Sequence, residues 1–179
     1  MKQVYGRAFL VENDTRNIPL AGGMIDPNRM FSRVGAEKSL RKLNDGWGDG
    51  KIKAALDRLD HDRKGFVEAI FPPVGSLLIA LHNNSANYSV NDELPLSDAV
   101  ALNNKDNPHE FILCTVQSDF DTLAGLAHNV VLQNKPKEDD GSLSRLAAAK
   151  GVRYINIEAR MGNAEGQRLM LEAVERSLT

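Results

Sequence analysis

The chain has 179 residues, 42% of them hydrophobic and 26% charged, with a formal net charge of −2. That length fits one domain with a sizeable core, and the near-neutral charge excludes the basic surface of a nucleic-acid binder or a polybasic membrane-surface segment. No apolar run approaches the roughly 20 residues that cross a bilayer, and the start, Met1-KQVYGRAFLVEN, has no long apolar signal region.

In chain order, Ala8-FLV reads as the first buried strand. Gly35-AEKSLRKLN reads as a helix. A longer helix follows over Asp49-GKIKAALDRLDHDRKGFVEAIF, with Ile52, Leu56, Leu59, Val67 and Ile70 near helical spacing and a break expected near Gly65. Pro72-Pro73 ends it, because proline lacks a donor and restricts the residue before it. Asp60, Asp62 and Gly65 trace the outline of a calcium loop, but Lys64 and Phe71 occupy positions that need oxygen ligands. A charged helix face is the expectation there.

Leu77-LIAL, Phe111-ILCT, Asn129-VVLQ and Tyr154-INI read as further strands. They are continuous rather than alternating, as in strands covered on both faces. Residues 84–108 are polar and weakly periodic, which suggests a functional loop or a mobile segment. Ser118-DFDTLAGLA, Ser142-LSRLAAAKG and Ala164-EGQRLMLEAVERSL read as helices, the first opening on a Ser118 or Asp119 cap and the second closing on Gly151. Strands alternating with helices imply an α/β layered domain with a partly parallel sheet. Cys114, the one cysteine, lies in an apolar run, where a thiol behaves as a small hydrophobe. It excludes an internal disulfide framework and fits a reducing, cytoplasmic setting.

Three polar signals interrupt this frame. His82 closes the run Ser76-LLIAL, at a strand end where open α/β sheets place their ligands. Imidazole suits zinc, and the alternative is a rim histidine bonded to a loop. Glu158 follows Tyr154-INI and can serve as a general base, or pair with Arg153 or Arg160. Asn28 and Arg29 follow Asp26-Pro27; the guanidinium fork suits a substrate carboxylate, while Asp-Pro also starts ordinary turns. Arg33 is a second cation nearby, and Tyr88 can donate a hydrogen bond or pack the loop.

Asp26-Pro-Asn-Arg-Met-Phe31 resembles the Asp-x-Asn-Arg-x-Phe signature of zinc carboxypeptidases, including the succinylglutamate desuccinylase/aspartoacylase branch. Ala80-Leu-His82-Asn and Ile155-Asn-Ile-Glu158 resemble that family's next two landmarks, separated here by 54 and then 76 residues. The resemblance implies a three-layer α/β/α fold of the phosphorylase/hydrolase type with a mixed, partly parallel sheet. It implies zinc as cofactor, His82 as a metal ligand and Glu158 as the catalytic base. Asn28 and Arg29 become the anchor for a small peptide or acyl-amino acid with a free carboxylate. The family's upstream His-x-x-Glu ligand pair has no counterpart, since His61, His109 and His128 all lack a glutamate three residues on. The expectation is a single metallocarboxypeptidase-like domain over 1–179 without that N-terminal portion. The alternative is a carboxylate-binding module that has lost the metal.

Overall fold

A computed structural model of the chain describes residues 6–10, 12, 14–85, 87–135 and 138–179. Two short strands, β1 (Ile18–Leu20) and β2 (Gly23–Ile25), pair antiparallel. Their two-residue turn, Ala21-Gly22, has positive φ at both positions, the backbone twist that suits a tight hairpin. Helices α1 (Arg33–Leu43) and α2 (Asp49–Ile70) follow. The rest builds one sheet from β3 (Leu77–Asn84), β4 (Ala99–Leu102), β5 (Phe111–Cys114), β6 (Asn129–Leu132) and β7 (Arg153–Arg160). Between them lie α3 (Val90–Glu93), α4 (Gln117–Leu123) and α5 (Leu143–Lys150), and α6 (Ala164–Leu178) closes the chain.

The sheet order is β3-β7-β5-β6-β4. The β3–β7 and β5–β6 pairs are parallel; β5–β7 and β4–β6 are antiparallel. The protein is thus an α/β fold with a mixed, partly parallel sheet between two helical layers. Strand periodicity assigns the layers. Ile112, Cys114, Val130, Leu132, Ile155, Ile157 and Ala159 face one side, against Leu123 of α4 and Met170 and Val174 of α6. Phe111, Leu113, Val131 and Tyr154 face the other, against Val90 of α3 and Ala147 of α5. Both faces are covered, which is why the central strands read as unbroken apolar runs.

The N-terminal elements enclose their own core of Ile25, Ala36, Leu40, Ile52, Ala55, Leu56 and Leu59. Glycine joins this unit to the sheet. Gly35 of α1 lies against the backbone of Gly141, where an added Cβ would collide with it. Gly141, at φ +79°, is equally closed in by Gly35 and the Arg29 carbonyl, and its own carbonyl accepts from the Phe31 amide at 3.0 Å.

Several sequence expectations change. Residues 8–10 are exposed and form no strand, and Val11 lies outside the described residues. α2 runs through Gly65 without a break, so the calcium-loop outline is a helix. The polar 84–108 stretch holds α3, a 3-10 turn at Leu94–Leu96 and β4. It is drawn into the sheet by pairing that a polar average hides. α4 starts at Gln117, with Val116 rather than Ser118 or Asp119 at its cap position. Ser142 does cap α5, and Gly151 ends it in the left-handed conformation. No described helix is long and apolar enough to cross a membrane.

Candidate functional site

Parallel pairing of β3 with β7 sets His82 opposite Glu158. Both strands run two residues further, to Asn84 and Arg160, so neither residue is the strand terminus expected from sequence. Period-two alternation then puts His82 and Asn84 on the same face as Asn156 and Glu158, the side covered by α3 and α5.

Three side chains converge on the Glu158 carboxylate. His82 Nδ1 lies 3.2 Å from Oε1, Asn156 Nδ2 donates to Oε1 at 3.0 Å, and Asn84 Nδ2 donates to Oε2 at 3.3 Å. Glu158 is only 5% exposed. Burial pushes its pKa up, but the bond and charge of His82 and the two amide donors outweigh that, and the net shift is downward. The carboxylate is therefore held ionised at neutral pH. His82 keeps a more open position, its side chain 34% exposed, and Gln167 of α6 ties down its carbonyl at 2.9 Å. Among the described residues, His82 Nε2 has no hydrogen-bond partner.

Tyr88 borders this rim. Its ring packs on Phe111 with centroids 5.8 Å apart, and its hydroxyl donates to Glu93, which also accepts from buried Gln133. Burial raises the Tyr88 pKa first, with Glu93 and then Glu158 adding to it, while the Arg29 cation opposes. His109 completes the border: Nδ1 bonds the Tyr88 carbonyl at 2.7 Å, and its own carbonyl accepts from Asn84 at 2.7 Å. Buried Asn129 staples the adjoining loop through the Asn104 and Asn107 carbonyls.

The structure brings His82 and Glu158 into direct contact. Asn28 and Arg29 sit on a 3-10 turn (Pro27–Arg29) capped by the Asp26 side chain, as an Asp-Pro turn would predict. Arg29 is half-exposed and pairs with Asp140 at 3.3 Å. No contact links it to Glu158 among the described residues. Arg33 is committed elsewhere, to Asp57 and Asp60 on α2. Arg153 pairs with buried Asp119, so it is His82 and not Arg153 that answers Glu158. Cys114 is fully buried and its thiol pKa is raised by burial, the behaviour of a core side chain.

Sequence inspection missed Asn84 and Asn156, although His-x-Asn and Asn-x-Glu at strand spacing carry the signal. The zinc that the family resemblance implies needs about three protein ligands and one open position. Among the described residues, no group of three His, Cys, Asp or Glu side chains could hold a metal ion. His82 and Glu158 alone do not fit a zinc centre. No family model, no curated protein and no solved structure matches the chain significantly.

Proposed function

We propose that the β3–β7 rim is the site of a metallocarboxypeptidase-like hydrolase, acting on the amide bond of a small peptide or acyl-amino acid with a free carboxylate. One observation carries this reading: the buried, ionised Glu158 stands in contact with His82 at the rim of two parallel strands. Being ionised, Glu158 can take a proton from an attacking water and return it to the leaving amine, as a weaker base than a free glutamate because its partners lower its pKa. Asn84 and Asn156 fix both of its oxygens, so the base keeps one orientation through the cycle. Arg29, released from its half-exposed ion pair with Asp140, supplies the planar fork for the substrate carboxylate, with Asn28 beside it. His82 is the imidazole available to face a metal, and zinc would need further ligands beyond it. This reading takes the protein as cytoplasmic, with its one cysteine a buried free thiol.

A second reading is a carboxylate-binding module without hydrolysis. The lack of a three-ligand cluster among the described residues favours it. Release of amine from acyl-amino acids and short peptides, measured with and without added zinc, separates the two. The hydrolase reading expects turnover that falls by at least about a hundredfold in Glu158→Gln, the lower end of what a general base contributes. Turnover that is absent under both conditions sinks it. If Arg29→Ala then still costs affinity for acyl-amino acids, the binding module stands.

A further inference from the structure

We propose that a second site, in the cleft between α5 and the start of α1, binds a small zwitterion of amino-acid type. Arg145 takes its carboxylate, and Glu138 and Asp139 take its amine. The cleft has a volume of about 190 Å³, and Ser32, Glu138, Asp139, Ser142 and Arg145 are among the residues that line it. On α5 the lining falls at 142, 145, 146 and 149, one helical stripe. None of these residues belongs to the His82–Glu158 rim.

Arg145 is the reason to expect a ligand. It is 6% exposed, yet its Nη1 is buried without a hydrogen-bond partner. Among the described residues its guanidinium makes no ion pair and no hydrogen bond. Buried charges are costly unless paired, and among the described residues the other buried charged side chains are paired: Glu158 with His82, Asp119 with Arg153. The cleft also collects the amino-terminal ends of two helices. Ser32 caps α1 and Ser142 caps α5, and the positive end of each helix dipole favours a negative group between them.

The charges on the cleft are divided. Arg145 is a buried residue of the lining, while Glu138 and Asp139 are exposed. One Asp139 oxygen accepts from the Gly141 amide at 3.0 Å, which holds that carboxylate in place. A dianion such as phosphate would meet two carboxylates on its way in. A molecule with a carboxylate at one end and an ammonium at the other meets favourable charge at both. The volume falls below the roughly 300 Å³ at which drug-sized pockets begin, which suits a ligand of amino-acid size.

Calorimetric titration of the full chain tests this at constant ionic strength. The ligands are L-alanine, propionate, ethylamine and inorganic phosphate. L-Alanine is expected to bind saturably at one site, at least about tenfold tighter than propionate, with no binding of ethylamine or phosphate. Arg145→Met should weaken L-alanine at least tenfold, and Glu158→Gln should leave it unchanged, so failure here is separable from failure of the hydrolase reading. Should Arg145→Met not fold, Arg145→Lys keeps the charge but loses the fork, and the same loss is expected. No saturable L-alanine binding, or equal binding in the Arg145 variants, overturns the site. Phosphate binding as tight as L-alanine overturns the zwitterion in favour of a plain oxyanion.

Discussion

Glu158 and Arg145 are buried to the same degree, at 5% and 6% exposure, and stand at opposite extremes of satisfaction. Both Glu158 oxygens accept hydrogen bonds, from His82, Asn156 and Asn84. Arg145 has a buried Nη1 that meets no acceptor. The first charge is oriented before any ligand arrives, which is what a catalytic base requires. The second carries an electrostatic deficit that a ligand of opposite charge would relieve. Burial alone therefore does not say what a charged side chain is for; the partners do.

The largest effect should come from removing the satisfied charge. Glu158→Leu leaves three polar side chains facing an apolar group, and is expected to cost about 3–5 kcal/mol in urea unfolding. A loss under about 1 kcal/mol would show that the network is loose. Gly35→Ala should cost roughly 1–3 kcal/mol, because its Cβ has nowhere to go against Gly141. The same substitution displaces the 138–142 loop, and so should weaken ligands of the Arg145 cleft as well. Arg145→Met should move stability the other way. Without ligand, replacing an unpaired buried cation by an apolar chain of similar size is expected to be neutral or to stabilise by about 1 kcal/mol or more. A clear loss would mean that Arg145 already has its partner in the folded chain.

The finest test is pH dependence. The Glu158 pKa is lower in the folded protein than in the unfolded chain. Its contribution to stability is therefore fully present above the ordinary glutamate pKa of about 4.3, and is lost as pH falls through the lower folded value. The part of the stability difference between the native chain and Glu158→Gln that comes from the ionised carboxylate should therefore shrink as pH falls below about 4.3. His82→Ala removes a main cause of the downward shift, so it should move this loss to higher pH. A difference that is flat with pH would separate His82 from Glu158 energetically.

Much of the frame was legible in the sequence. Four of the five main-sheet strands announce themselves as apolar runs because both faces of the sheet are covered. α5 and α6 were legible from their caps and periodicity, through Ser142, Gly151 and the apolar stripe after Ala164. β4 escaped because Ala99–Leu102 is short and sits inside a polar stretch, and β1 and β2 because three-residue strands carry almost no pattern. Ala8–Leu10 misled in the other direction: strand propensity is only realised where a pairing edge receives it.

His82 and Glu158 were each visible as polar residues breaking an apolar strand, a local signal that needs no partner. What sequence could not decide was their contact, since 76 residues and a parallel register separate them. The partners of Arg33 and Arg153 were likewise set by tertiary packing, which committed both to aspartates far away in the chain. The Arg145 cleft was wholly beyond the sequence, where Ser142-LSRLAAAKG reads as one more short helix. Composition and periodicity determine which residues must leave water and in what kind of element. Which buried charge meets a partner, and which is left without one, depends on strand order and on two glycines, Gly35 and Gly141, that let distant backbones touch.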